Sequence, residues 1–178
     1  RSQSLRLIEM QLPDHIFADR LNTIKDVSAG DYDPNFGSTT DLIEYFDDGL
    51  SFINFLGHGG GNIWADVNLL NLNDVDRLNN GSRLPFIASM TCFTGAYENP
   101  GKDGLAEKLI LSEDKGAIAM LASSGFGWKY NDMAIEWGLF EFLWDELTFG
   151  QAVDMMKIYY LANPIYYTCL LYTSPSPR

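Results

Sequence analysis

Three apolar runs bounded by turn residues mark the middle of the chain: Leu50-Ser-Phe-Ile-Asn-Phe-Leu56, Leu84-Pro-Phe-Ile-Ala-Ser-Met90 and residues 116–123. Short runs of this kind, rich in Ile and Phe, have the pattern of buried strands. Between and around them the apolar spacing turns helical. Ser38 or Thr39 is placed to cap a helix running to Asp48, with Leu42, Ile43 and Phe46 on one face and Gly49 as its stop. That helix leads into the first run, as in a βαβ-like crossover. Asn73 is placed to cap a short helix over 74–79 that stops at Gly81, and Asp103 to open a helix carrying Leu105, Leu109 and Ile110. Two amphipathic helices are expected over 131–147 and 148–162, and the stripe Trp137, Phe140 and Trp144 reads as core packing. Near the start, Leu5, Leu7, Ile8 and Met10 suggest an edge strand, and Ile16, Phe17, Leu21 and Ile24 a helical face. The sum is an α/β domain with a largely parallel sheet flanked by helices, with no internal repeat and no second domain.

The first two runs each end in a residue capable of chemistry. Leu56 is followed by Gly57-His58-Gly59-Gly60-Gly61, and Met90 by Thr91-Cys92-Phe93-Thr94-Gly95. In parallel sheets reactive groups collect beyond the carboxyl ends of the strands, so His58 and Cys92 are expected on one rim. Alone, a Cys is usually a small buried hydrophobe and a His a satisfied polar group. At the tips of consecutive strands the pair reads better as a thiol with an imidazole to activate it. Glycines beside His58 let the backbone approach a substrate and turn an N–H towards a developing oxyanion. The chemistry read from these residues is acyl transfer, most simply peptide-bond hydrolysis.

Gly57-His58-Gly59-Gly60, then Ser89-Met-Thr-Cys92-Phe-Thr-Gly95, then Lys115-Gly-Ala-Ile-Ala-Met-Leu-Ala-Ser-Ser124 resemble, in order, the gingipain-type cysteine peptidases of family C25. The resemblance covers residues 42–162. It implies a caspase-like fold, a protein or peptide substrate and a secreted or cell-surface location. It implies His58 as general acid/base, Cys92 as nucleophile through a thioester acyl-enzyme, and the N–H groups of Gly59 and Cys92 as oxyanion hole. Trp128 falls where the family places a wall of the pocket for the residue before the scissile bond, and the resemblance implies Ser123 and Ser124, just before it, as further substrate-binding residues. The acidic residue behind the gingipains' arginine preference has no match here, so cleavage preference does not carry over. The family includes a sortase-like peptidase of the type IX secretion system, so transpeptidation or signal removal is an alternative outcome. A degenerate binding or assembly module is the non-enzyme alternative, because no acidic partner for His58 can be assigned.

Totals narrow the field further. The 178 residues suit about one domain, and the net charge of -12 leaves no basic patch for nucleic acid or anionic membrane. No apolar run approaches the ~20 residues of a membrane helix. Residue 1 is Arg, and the chain is expected to be a fragment whose downstream domains are missing. The last ten residues, Cys169-Leu-Leu-Tyr-Thr-Ser-Pro-Ser-Pro-Arg178, resemble a translated sequencing adapter, which would leave Cys92 as the sole native cysteine. The expected division is thus 1–37 as a partial N-terminal segment, 38–168 as catalytic core and 169–178 as artefact.

No cofactor is required by this chemistry. The acids of Asp31-Tyr-Asp-Pro-Asn-Phe-Gly37 are candidates for a structural calcium by resemblance, against a plain Asp-rich turn. Trp64 and Asp66 lie near the presumed site, Trp64 reading as core cover and Asp66 as a turn or cap. Rival sites fit less well. His58-Gly-Gly-Gly61 is similar to a lipase oxyanion loop, but Ala122-Ser-Ser-Gly-Phe126 lacks the glycines of a Gly-x-Ser-x-Gly elbow. No third glycine completes a dinucleotide loop, no Gly-Lys-Ser/Thr occurs, and two His with one Cys do not gather at zinc spacing.

Overall fold

A computed structural model describes residues 2–24 and 34–163, with side chains from Arg6 onward. The chain divides into two compact units, Leu21–Gly127 and Arg1–Arg20 with Trp128–Arg178.

The first unit is built on a parallel three-stranded sheet in the order β1 (Phe52–Leu56), β5 (Phe86–Met90), β6 (Ala119–Ala122). Register pairs Phe52 with Phe86 and Leu56 with Met90, so β1 and β5 end level; Ser89 pairs with Ala122. Every residue of the central strand β5 is buried, the mark of a parallel strand covered on both faces. The helix α2 (Thr39–Asp48) forms as its pattern predicts. Ser38 closes its start by donating from its N–H and its hydroxyl to Asp41 Oδ2, both at 2.7 Å, and Gly49 ends it at φ +92°. Leu42, Ile43 and Phe46 enter one core with Ile53, Trp64, Leu70, Val75, Leu78, Ile87, Leu105 and Leu109. Among the described residues no strand precedes α2; only an isolated bridge joins Asn22 to Phe36. The βαβ unit actually present is β5, α4 (Leu105–Leu111) and β6.

Local chemistry corrected several boundaries. Residues after His58 form a small antiparallel sheet that the apolar pattern does not announce: β2 (Gly59–Gly60), β3 (Ile63–Trp64) and β4 (Leu70–Asn71). The helix α3 (Leu72–Val75) starts two residues earlier than expected because Asn71, not Asn73, caps it. Asn71 Oδ1 accepts from Asn73 N at 2.8 Å, and Asp74 Oδ2 accepts from Asn71 N at 3.0 Å. The region after it is a loop held by Asn80, which is fully buried. Its amide nitrogen donates to the carbonyls of Arg83 and Gly116, and its oxygen accepts from Gly116 N, all at 2.9 Å. Gly104, not Asp103, caps α4, its N–H held by Glu107 Oε2 at 2.7 Å; Ile110 on that helix is exposed.

The second unit is helical: α1 (Ser2–Gln11), α5 (Lys129–Leu143) and α6 (Phe149–Ala162). The expected edge strand at Leu5–Met10 is helix α1, because the same apolar residues also recur at helical spacing; Leu7 is buried and α1 packs on α5. The expected helical face at Ile16, Phe17, Leu21 and Ile24 does not form: Phe17 is 96% exposed and Ile24 is exposed. The two C-terminal helices are present, the first shifted to start at Lys129. They pack together with Phe142 against Tyr159, and Thr148 caps α6 through Gln151 N. Phe140 is buried and packs edge-on against Trp144, as core residues should.

Residues 31–33 of the calcium candidate and the whole 169–178 tail lie outside the described residues. Among the described residues no group of three or more His, Cys, Asp or Glu gathers as metal ligands.

Candidate active site

Both candidate residues stand two positions past the level ends of adjacent parallel strands. His58 follows Leu56 and Cys92 follows Met90, the last registered pair of β1 and β5. Neighbouring strands lie about 4.8 Å apart, so the two loops leave the sheet side by side. Gly57 N donates to Met90 O at 3.3 Å and ties them at the exit.

The His58 loop is pinned behind by the small sheet. Ala65 N donates to His58 O at 2.8 Å, and Gly59 pairs with Trp64. Antiparallel pairs alternate between bonded and non-bonded, so Gly59–Trp64 is the non-bonded pair and the Gly59 N–H turns away from the hairpin. The hairpin is itself anchored to the main sheet by Trp64, which is wholly buried. Its Nε1 donates to Ser89 Oγ of β5 at 2.9 Å, and its ring stacks on Phe55 of β1 at 4.6 Å. Trp64 is therefore core, and Asp66 is an exposed turn residue.

The Cys92 loop is a tight turn, with Phe93 in the left-handed region at φ +57°. Such a conformation costs a non-glycine residue about 1 kcal/mol and persists where its surroundings hold it. Here Phe93 N donates to Gly125 O at 2.8 Å and Gly95 N to Ser123 O at 2.9 Å, lacing the turn to the segment after β6. The Phe93 ring meets Phe126 edge-on at 4.7 Å. The first turn of α4 serves both loops: Leu105 N donates to Gly61 O at 2.6 Å and Ala106 N to Thr94 O at 3.3 Å. Donors that every helix start leaves open are thus spent on fixing the two loops to one another.

Cys92 is partly buried and is a free thiol. Its sulfur sits against the Gly127 peptide, accepting from Gly127 N at 3.3 Å and lying 3.6 Å from Gly127 O. His58 is exposed, and its imidazole makes no hydrogen bond or ion pair with a described residue, Asp66 included. Ser123 lies partly buried beside the Cys92 turn, its hydroxyl bonded to Gly125 O at 3.1 Å, while Ser124 is exposed. Trp128, 58% exposed, is the N-cap of α5 and the first residue of its unit there.

The strand ends bring the expected His58, Gly59 and Cys92 to one rim, and beside them lie Gly127 and Thr91, which the sequence did not single out. Gly127 could have been suspected from the Gly-x-Gly spacing at 125–127, since a peptide can approach sulfur closely only without a side chain in the way. Thr91 sits fully buried against Gly59, a contact between segments 32 residues apart that no local pattern announces.

The profile of Peptidase family C25 matches residues 3–176. Gingipain R2 of Porphyromonas gingivalis (strain ATCC 33277) is 30% identical over 104 residues, covering 52% of this chain and 13% of the relative. Gingipain R1 of Porphyromonas gingivalis is likewise 30% identical over 104 residues, 10% of its length. Among solved structures, the complex of Porphyromonas gingivalis RgpB pro- and mature domains aligns at TM-score 0.66 and 24% identity, over 74% of this chain and 33% of that one. The Arg-specific cysteine proteinase gingipain R (RgpB) aligns equally well, over 32% of its chain. The chain thus spans about a third or less of the relatives it matches, and the structural likeness carries the expected caspase-like α/β fold. With all but the first two and last two residues inside the profile, this chain belongs to peptidase family C25, the gingipain-type cysteine peptidases.

Proposed function

We propose that the chain carries the reacting groups of a cysteine endopeptidase, with Cys92 as nucleophile and His58 as general acid/base. One observation carries this reading: β1 and β5 are adjacent, parallel and level at Leu56 and Met90, so the His58 and Cys92 loops leave the same rim together. The Cys92 sulfur attacks a peptide carbonyl carbon, and the N–H groups of Gly59 and Cys92 hold the oxygen that becomes negative. His58 gives a proton to the departing amine, leaving a thioester. Water, deprotonated by His58, then releases the acid and restores the thiol. Apo enzymes often hold such pairs loosely, so an unbonded imidazole is compatible with the step. The substrate is a protein or peptide, and a secreted or cell-surface site of action follows from the family resemblance.

A second reading is favoured by the sulfur's contacts with Gly127 and by an imidazole unbonded among the described residues: a degenerate module that binds rather than cleaves. Two measurements separate them. Alkylation of Cys92 by iodoacetamide is followed from about pH 6 to about pH 9 in wild type and His58→Ala, and a peptide panel is screened for cleavage. The enzyme reading expects fast alkylation near neutral pH that slows without His58, and cleavage lost in Cys92→Ala at unchanged thermal stability. Alkylation indifferent to His58, together with an uncleaved panel, would leave the binding module.

A further inference from the structure

The residue just before the nucleophile lies against the glycine proposed as the other oxyanion donor. Thr91 is 1% exposed, and its Oγ1 has no hydrogen-bond partner among the described residues. A Cβ placed on Gly59 would stand 2.5 Å from Thr91 Oγ1 and 3.1 Å from Thr91 Cγ2, so both branches of the threonine fill the space a side chain at Gly59 would need. The carbonyl carbon of Thr91 is bonded to Cys92 N. A single residue thus spans from one proposed donor to the other.

We propose that Thr91 is a positioning residue that sets the spacing of the Gly59 and Cys92 N–H groups, acting through its shape rather than its hydroxyl. The inference rests on the cysteine peptidase reading above. The other restraints on Gly59 are backbone groups: Ala65 N holds His58 O, Leu105 N holds Gly61 O, and Ile63 O lies 2.9 Å from the same Cβ position. Those groups fix where the loop runs, and Thr91 supplies the side chain against which Gly59 sits. An unpaired hydroxyl in a buried place is destabilising, so its presence is not explained by a bond made in this state. The two-branched volume is what touches Gly59. Oxyanion donors act only at about 2.7–3.1 Å from the developing charge, so a glycine that settles into space left by a truncated Thr91 loses most of its effect.

The experiment compares wild type, Thr91→Ala, Thr91→Val and Thr91→Ser in the full chain, on one peptide that wild type cleaves. It reads kcat and KM, and separately the rate at which iodoacetamide alkylates Cys92. Alkylation develops no oxyanion, so it reports nucleophile placement without the hole. The expected result is a fall in kcat of about tenfold or more in Thr91→Ala, with KM and alkylation within about twofold of wild type, and a Thr91→Val enzyme close to wild type. Wild-type kcat in Thr91→Ala overturns the inference. So does a loss in Thr91→Val that Thr91→Ser escapes, because the hydroxyl would then be acting. Alkylation falling in step with kcat overturns it too, since the sulfur itself would have moved. Thr91→Val conserves volume and keeps the test valid if Thr91→Ala fails to fold. A wild type that cleaves no peptide removes the enzyme reading and this inference with it, whereas a cleaving wild type with an unaltered Thr91→Ala removes this inference alone.

Discussion

Substituting Gly59 by Ala would insert a methyl group where the structure has no room. The new Cβ would meet Thr91 Oγ1 at 2.5 Å, Ile63 O at 2.9 Å and Thr91 Cγ2 at 3.1 Å. Ordinary contact begins near 3.4 Å, so the loop must move by roughly 0.5–0.9 Å. Neither neighbour yields easily: Ile63 O is backbone of a paired strand, and Thr91 is buried. Overpacking of this kind costs about 1–3 kcal/mol, a fall in Tm of about 2–4 °C per kcal/mol in a chain of this size. The same shift takes the Gly59 N–H out of the range in which it can hold an oxyanion, which lowers kcat about 10²-fold with little change in KM.

The assay is thermal unfolding beside steady-state cleavage, repeated in the Gly59→Ala/Thr91→Ala double variant. Removing the threonine relieves the contacts with Oγ1 and Cγ2 but leaves Ile63 O in place. Stability should therefore return in part, with a coupling of about 1 kcal/mol, while kcat stays low. An unchanged Tm and kcat in Gly59→Ala would refute the packing argument. Full recovery of both in the double variant would show that Ile63 O is no obstacle and that the Gly59 position is not critical.

Gly116 has φ +92°, and a Cβ there would overlap the Leu109 carbonyl, so Gly116→Ala should cost about 3 kcal/mol or more in a denaturant titration; a loss within ±0.5 kcal/mol would contradict the turn geometry. Asn80→Ala leaves the carbonyls of Arg83 and Gly116 and the Gly116 N–H without their partner, and should destabilise by about 2–4 kcal/mol by the same measurement. Burial pushes the Asp132 carboxyl from 3.8 up to about 6, only partly offset by a hydrogen bond to the Trp128 backbone. The folded protein then holds that proton more tightly than the unfolded chain does. The linked stability is present below about pH 4 and is lost as pH rises to about 6. The span between the two values caps it at about 3 kcal/mol, which solvent screening of this partly exposed group reduces to about 1 kcal/mol. Asp132→Asn should abolish that decline in a Tm series from about pH 4 to about pH 8; an identical decline in both proteins would place its source elsewhere.

Much of the site could be read in the sequence because its signals are local. A short apolar run bounded by glycines and small residues specifies a buried strand and the loop beyond its end, so β1 with His58 and β5 with Cys92 were legible, as were the Gly49 stop of α2 and the start of α6 near Thr148. Periodicity failed where one set of residues satisfies two periods: Leu5, Leu7, Ile8 and Met10 alternate well enough for a strand, yet form α1. Caps were misplaced where two candidates stand close together, because hydrogen bonding decides between Asn71 and Asn73 and between Asp103 and Gly104.

The features that tertiary structure alone decided are long-range. The sequence could say that two strands end in His58 and Cys92, but only pairing could make them neighbours with level ends. It could not say that Trp64 reaches back to Ser89, that the first turn of α4 holds Gly61 and Thr94 together, or that Thr91 floors Gly59. Each of those contacts joins residues at least twelve apart, where chain entropy carries no preference until the sheet has formed. Strand identity is a property of local pattern; the spacing of groups that must act within tenths of an ångström is a property of packing.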